Sequence, residues 1–227
     1  MKFSPETIKV LNNFAAINPN FVFGNGETIT TISEARNVMA SAKIKESTQI
    51  DEPIGIYDLK QFLNCLSLVE NHELDIHDKY VLIKSGRTSI KYYLTDLENL
   101  LFPSKQINMP PADLTFDFKQ SDMDRVQKAA STLGHKQMII SSNNGGTATV
   151  TVGEAKNKTA NTFEYELPAA AGSALNHEFE FIFTIPTLNL LPGDYRVSVS
   201  SKLISQFTKN DVTYWIGLDK ASTYKEV

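Results

Sequence analysis

The segment from His72 to Asp78 collects side chains that could bind a metal ion. On a strand, Glu73, Asp75 and His77 would share one face, and metal hydrolases use such groups. The competing interpretation is a solvent-facing strand whose apolar residues point inward, and the pattern favours it because unpaired charges stay in water. A small hydrolase built on this segment is therefore the weakest of three functional hypotheses.

Other residues with chemical potential lack a recognisable context. His135 and His177 are isolated in the sequence. Gly24-Asn25-Gly26 and Gly145-Gly146 are predicted hairpin turns. They are not predicted to bind phosphate, because neither opens a helix after a strand as a phosphate-binding loop would. Cys65 is the single cysteine, which excludes an internal disulfide and a cysteine zinc site. We therefore predict a protein that is not an enzyme, with no catalytic residue, no metal and no cofactor.

Length and composition indicate two domains of ordinary size. The chain has 227 residues, of which 41% are hydrophobic and 21% charged, so each half can bury a core. The net charge of -4 excludes a basic nucleic-acid coat; contact with phosphates would need a local basic surface. The first residues lack the apolar stretch of a signal peptide, and no apolar run approaches the roughly 20 residues that cross a bilayer. We expect a soluble, cytoplasmic protein.

The first half reads as two helices among strands. Ser4 is a good N-cap, Pro5 suits the first helical position, and apolar residues at spacings of three and four continue the helix to Ile17. A second amphipathic helix is predicted over residues 57–69. The remaining segments alternate as strands joined by hairpin turns. Prolines over residues 95–111 indicate an extended connector.

The second half repeats this plan. Ser121 is the expected cap of a helix that ends at Gly134, and a short helix is predicted over residues 186–191. Alternating apolar residues mark strands before, between and after these helices. The fold class is therefore α+β, with domains over residues 1–110, the connector included from about 95, and 111–227.

Local sequence adds a family resemblance. Three stretches carry it: Asn12-Asn13-Phe14-Ala15-Ala16-Ile17-Asn18, Ile56-Tyr57-Asp58-Leu59-Lys60-Gln61-Phe62-Leu63-Asn64-Cys65-Leu66-Ser67-Leu68-Val69, and Leu191-Pro192-Gly193-Asp194-Tyr195 with the later stretch from Tyr214 to Asp219. In order and spacing they resemble the sliding clamp of T-even-type tailed bacteriophages, in the wider fold class of the eukaryotic proliferating cell nuclear antigen. Chain length and the two-domain plan agree with that family.

The resemblance implies a specific architecture and role. Each chain would form two similar DNA-clamp domains, and three chains would close a homotrimeric ring with helices lining the hole and antiparallel sheets outside. The ring would encircle duplex DNA without reading sequence and tether the replicative DNA polymerase as a processivity factor in DNA replication. An ATP-dependent clamp loader would open it, late-transcription factors would be further partners, and the cytoplasm of the infected host cell would be its location.

A sliding ring needs weak phosphate contacts from flexible cations. Each candidate residue lies on the polar side of a predicted helix or just before one: Lys2, Lys9, Lys60, Arg125 and Lys128. For any one of them alone, an ordinary solvated charge is the favoured interpretation. As a set, on the faces that the clamp fold would turn to the hole, they are the predicted DNA-binding residues, and the acidic residues would lie mostly outside.

A partner peptide needs an apolar pocket at the surface. The connector and the C-terminal half supply the candidates, namely Ile107, Met109, Pro110, Leu203, Tyr214 and Trp215. For each of them packing in the core is the alternative. Because Tyr214 and Trp215 are neighbours on a predicted strand, only one of the two can face the core.

The main competing hypothesis is a structural component of a virus particle. A β-rich, two-domain, mildly acidic chain would suit a tail or capsid protein too. Lysines on the polar faces of several helices favour the clamp, because a particle protein has no reason to place them there.

Overall fold

The computed structural model describes residues 1–48, 50, 52–105, 107–143, 146–157, 159–168, 173 and 175–225. Gly145 of the second predicted turn lies outside this set. The chain divides into two compact units, Met1–Gln106 and Ile107–Val227. No described helix is long and apolar enough to cross a membrane.

The first unit contains two helices and seven strands in its described part. In chain order these are α1 (Pro5–Ile17), β1 (Phe21–Phe23), β2 (Gly26–Ile32), β3 (Val38–Thr48), β4 (Ile54–Ile56), α2 (Leu59–Ser67), β5 (Glu73–His77), β6 (Tyr80–Ser85) and β7 (Thr88–Tyr93), followed by a 3-10 turn at Leu97–Asn99. Strand β1 pairs with β4 rather than with β2, so the hairpin predicted around Gly24-Asn25-Gly26 is wrong. Strand β2 pairs with β3, and β6 lies between β5 and β7, all antiparallel.

Aromatic side chains build the core under the two helices of the first unit. Phe14 of α1 contacts Phe21, whose ring meets that of Phe23 at 4.7 Å. Phe62 of α2 joins this group and also contacts the ring of Tyr92 on β7 at 5.1 Å. The polar sides of α1 and α2 are left exposed as a result, which is the arrangement that the amphipathic pattern predicted.

Helix α2 is shorter than its apolar pattern indicated. Asp58 stands at the N-cap, where its carboxylate accepts a hydrogen bond of 2.9 Å from the backbone N–H of Gln61. Tyr57 precedes the helix and is 64% exposed. A capping side chain determines where a helix begins. The prediction from apolar periodicity did not consider the cap and therefore began the helix too early.

The second unit contains one α-helix and nine strands in its described part. These are β8 (Leu114–Phe118), α3 (Gln120–Leu133), β9 (Gln137–Asn143), β10 (Ala148–Gly153), β11 (Phe163–Leu167), β12 (Glu178–Thr184), β13 (Tyr195–Ser200), β14 (Ile204–Lys209), β15 (Val212–Gly217) and β16 (Thr223–Lys225). Five strands form a sheet in the order β11-β10-β9-β12-β16, and β15, β14, β13 and β8 are successive neighbours in another. The strand pairs within these two groups are antiparallel.

Two helix predictions for the second unit need correction. Helix α3 begins at Gln120, with Lys119 rather than Ser121 at the N-cap, because the Asp122 carboxylate accepts the Lys119 backbone N–H at 3.1 Å. The short helix predicted over residues 186–191 is only a 3-10 turn at Ile185–Thr187. The end at Gly134 is confirmed, since this residue adopts a φ of 75° that glycine tolerates best.

Candidate nucleic-acid interface

The start of α1 is held by a carboxylate from a neighbouring strand. Glu46 of β3 accepts hydrogen bonds from the Thr7 hydroxyl, at 2.5 Å, and from the backbone N–H of Ser4. The Ser4 hydroxyl in turn accepts the backbone N–H of Thr7 at 3.2 Å. Burial alone would raise the pKa of Glu46, but the bonds from Thr7 and Ser4 outweigh it and lower the pKa. The ionised carboxylate therefore sits at the N-terminal end of α1, where the helix dipole favours a negative charge.

Three of the predicted DNA-binding cations lie on the exposed helical surface of the first unit. Lys9 is exposed on α1 and Lys60 on α2, and these helices pack against each other. Lys2 is exposed just before α1, where its Nζ donates to the Asn71 side-chain oxygen at 3.2 Å. Lys9 and Lys60 form none of the ion pairs of the described residues. The first unit thus presents exposed cations on the side of its helices away from its strands.

The other two predicted cations lie on α3. Arg125 and Lys128 are both exposed, and Arg125 lies 3.9 Å from the Asp122 carboxylate one turn earlier. Met123 and Val126 occupy the buried side of the helix. Arg125 and Lys128 also border a groove of about 410 Å³ between α3 and the start of β11, with Ala129, Leu133 and Phe163 among its apolar lining.

Sequence reasoning missed one cation beside α3. Lys119 is exposed and stands at the N-cap of α3, so it also lies beside the start of a helix, as Lys2 does near α1. It was overlooked because the helix start was placed at Ser121. The pair of Lys119 and Asp122, three residues apart at the head of an apolar period, was the signal that could have found it.

Four carboxylates of the second unit lie on the sheet face opposite α3. The strand register puts Glu164 and Glu166 of β11 on the same face as Glu178 and Glu180 of β12. The other face holds Val150, Ile140 and Phe181, which are buried, and α3 packs on that side. The far side of the sheet therefore carries carboxylates, whereas α3 carries Arg125 and Lys128 together with Asp122 and Asp124.

The six residues predicted for a partner-peptide pocket divide by burial. Tyr214 cannot line a surface pocket, contrary to the prediction, because its side chain is fully buried. Its hydroxyl accepts a hydrogen bond of 3.2 Å from the Leu191 backbone N–H. Burial raises the pKa of Tyr214 to about 12, so the hydroxyl stays neutral within the core. Trp215 is half-buried on the other face of β15, which confirms that only one of the two faces the core. The remaining four stay candidates, all partly exposed: Ile107, Met109, Pro110 and Leu203.

The metal-ligand segment forms a strand with a structural role. Glu73, Asp75 and His77 do share one face of β5, as the alternation predicted. Asp75, however, accepts a hydrogen bond of 2.8 Å from Lys84, and the His77 ring lies 3.5 Å away. The bond from Lys84, followed by its charge, lowers the pKa of Asp75. No cluster of three or more metal-ligating side chains occurs within the described residues.

Two family models match the chain, one for each unit. A family described as "DNA polymerase processivity factor" matches residues 4–99, and one described as "gp45 sliding clamp, C terminal" matches residues 115–220.

Comparison with individual proteins gives full-length matches. The chain is 32% identical to the sliding clamp of Vibrio phage KVP40, over 96% of this chain and 99% of that protein. It is 27% identical to the sliding clamp of Escherichia phage RB69, over 99% of each.

Among solved structures, the fold is similar to A. fulgidus PCNA bound to the C-terminal region of FEN-1. That match has a TM-score of 0.71 at 14% identity and covers 97% of this chain and 98% of the other. The Entamoeba histolytica Proliferating Cellular Nuclear Antigen matches with a TM-score of 0.65 at 16% identity, over 94% of each chain. These likenesses confirm the predicted α+β fold of two similar domains.

Proposed function

Because this chain belongs to the sliding clamp family, a group of non-catalytic DNA polymerase processivity factors, we propose that it holds duplex DNA through the exposed cations of its helices. The residues of this contact are Lys2, Lys9, Lys60, Arg125 and Lys128, joined by Lys119. DNA and a DNA polymerase are its partners. The hypothesis of a structural virus-particle protein is not favoured, because the relatives that match over the full length are sliding clamps.

The observation that supports this proposal is the placement of charge. The helices carry lysine and arginine side chains that are exposed, while four carboxylates of the second unit lie on the sheet face opposite α3. Such contacts neutralise phosphates without reading base edges, so binding is weak enough for the protein to move along DNA. The carboxylates repel DNA from the far surface of the sheet.

The proposed working form is a homotrimeric ring around the duplex. Free edges of antiparallel sheets are the natural means of joining copies, since their backbone N–H and C=O groups lack strand partners. Strand β7 is the last strand of its sheet in the first unit, and β11 is the last of its sheet in the second. One contact between β7 and β11 of successive copies, repeated three times, would close such a ring.

The remaining partners follow from the same proposal. A closed ring needs a clamp loader that uses ATP to open it, and late-transcription factors would use the same ring on DNA. A peptide of the polymerase would bind the partly exposed apolar residues Ile107, Met109, Pro110, Leu203 and Trp215. Replication of phage DNA would place the protein in the cytoplasm of the infected host cell.

The experiment that tests encirclement compares circular and linear DNA. The protein is loaded onto nicked circular DNA with a clamp loader and ATP, and half of the sample is then cut once to make the DNA linear. We expect retention on the circle and loss from the linear form, because a ring held by topology slides off a free end. Equal retention on both forms would show binding by affinity alone and refute the ring.

A further inference from the structure

The outer sides of the two sheet edges proposed to join copies have no strand partner within the described residues, whereas the outer sides of β5 and β8 are partly occupied. On the far side of the first-unit sheet, Leu74 of β5 already exchanges backbone hydrogen bonds with Met1, at 2.8 and 2.9 Å. Beside β8, the Ser173 hydroxyl bonds both backbone groups of Thr115. Within the described residues, β7 pairs only with β6 and β11 only with β10. Their outer backbone groups are therefore available to another chain.

The exposed face of β7 carries a positive charge that is held in place. The register puts Lys91 and Tyr93 on one face of the sheet with Tyr80 of β6, away from the helix-facing Tyr92. The Lys91 Nζ lies 3.9 Å from the centre of the Tyr80 ring and 5.2 Å from that of Tyr93. Cation–π contacts of this kind restrict the ammonium group without neutralising it. Among the described residues Lys91 belongs to no ion pair.

The corresponding face of β11 carries two negative charges. Glu164 and Glu166 are both exposed on the sheet face that α3 does not cover. Neither takes part in an ion pair of the described residues. They are two residues apart, so a cation placed opposite one of them is also diagonal to the other.

We propose that Lys91 of one copy lies between Glu164 and Glu166 of the next, and that this charge pairing selects the partner edge. The inference rests on the proposed ring. When two sheets join edge to edge with their helices on the same side, side chains on their helix-free faces become neighbours across the seam. Lys91 then faces the two carboxylates in either strand direction. A copy seated on β11 also covers the start of that strand, beside the apolar groove lined by Ala129 and Leu133.

The charge pairing prevents each edge from joining the same edge of another copy. Two β7 edges would bring Lys91 against Lys91, and two β11 edges would bring four carboxylates together. Like charges directly opposite each other on paired strands are unfavourable. Only the head-to-tail contact joins opposite charges, and a head-to-tail contact is the kind that builds rings.

The test is a charge exchange followed by sedimentation velocity over a dilution series of the full chain. Lys91→Glu is expected to weaken association by about tenfold or more, since it replaces attraction by repulsion at the seam. Glu164→Lys with Glu166→Lys is expected to do the same. The triple variant restores opposite charges and should associate within a few-fold of the wild type. Lys79→Glu, an exposed reversal in the turn before β6, is the matched control and should leave association unchanged.

Salt supplies a second readout that needs no variant. Wild-type association should weaken between about 50 mM and about 500 mM NaCl, while the triple variant keeps a similar salt dependence. Circular dichroism of each variant checks that its fold is intact. Unchanged association of Lys91→Glu, or a triple variant no better than Lys91→Glu, would refute the charge pairing and leave the ring standing. A wild type that stays monomeric at every concentration and salt would refute the ring and the pairing together.

Discussion

At the scale of single residues, exposure and burial decide which predicted side chains can act. All five predicted cations are exposed on or beside helices. Tyr214, by contrast, packs inside the second unit. Composition does not reveal this difference. An acidic chain can still have a local basic surface, and an apolar residue on a strand can lie either in the core or at the surface. The charge of the helical surfaces therefore depends on which side chains the fold exposes there.

Reversing two helix cations should impair DNA loading. Lys9→Glu with Lys128→Glu replaces one attraction by repulsion in each unit, and we expect loading onto nicked circular DNA to fall by about tenfold or more at low salt. The oligomeric state should not change, because both side chains lie on the exposed sides of helices.

The control for this loading measurement is Lys156→Glu combined with Lys202→Glu, two exposed reversals outside the helices. Loading should remain near the wild-type level. If the helix variant loaded as well as the control, the assignment of Lys9 and Lys128 to the DNA surface would be wrong.

Glu46→Gln should destabilise the protein in a pH-dependent way. The folded-state pKa of Glu46 is lowered, so the carboxylate contributes stability above its ordinary pKa and loses it as pH falls through the acid range. We expect a loss of about 1 kcal/mol at about pH 7 and a smaller difference at about pH 3.5, measured by urea unfolding.

Glu27→Gln is a suitable comparison for Glu46→Gln. Glu27 lies on the neighbouring strand β2 and pairs with Lys43 at 3.1 Å on an exposed surface. Exposed ion pairs contribute little, so this variant should change stability by less than about 0.5 kcal/mol. Equal effects of the two variants would argue against a special role of Glu46 in holding α1.

At the scale of elements, caps set the limits of the helices that present the cations. Asp58 begins α2 and Lys119 with Asp122 begins α3, and each start differs from the one that apolar periodicity indicated. The end of α3 at Gly134 agrees with the prediction because a positive φ leaves a clear preference for glycine. Helix ends were thus most predictable where backbone geometry restricts the residue type.

Gly134→Ala tests the cap at the end of α3. A Cβ at this position meets no atom within 4 Å, but the φ of 75° is unfavourable for alanine. We expect a loss of about 1 kcal/mol in urea unfolding, from backbone conformation alone. At Gly24, an added Cβ also meets no atom within 4 Å and φ is not positive, so Gly24→Ala should stay within about 0.5 kcal/mol of the wild type; a similar loss in both would contradict the conformational explanation.

At the scale of the whole molecule, the proposed ring requires three copies of the chain to associate. Native mass spectrometry should find a species of about 76 kDa, three times the 25.3 kDa chain, in equilibrium with smaller species on dilution. A stable monomer at high protein concentration would contradict the ring. The result concerns the assembly only, so it is independent of the cation and cap variants.

Much of the fold could be predicted from the sequence. The apolar periods of residues 5–17 and 57–69 located α1 and α2, and alternation located most strands. The short helix over residues 186–191 was wrong, because prolines at both ends leave room for a single 3-10 turn at Ile185–Thr187. Local stretches such as Ile56–Val69 carried the family, which the full-length relatives confirm.

By itself the sequence determined the fold class, the plan of two similar domains and the family, because hydrophobic periodicity and local identity are properties of neighbouring residues. Only the tertiary structure decided that Tyr214 is buried while Trp215 is half-exposed. Only strand register could place Lys91 between two tyrosines and gather Glu164 and Glu166 on the face opposite α3. These placements join residues distant in the chain, and pairing across strands fixes them.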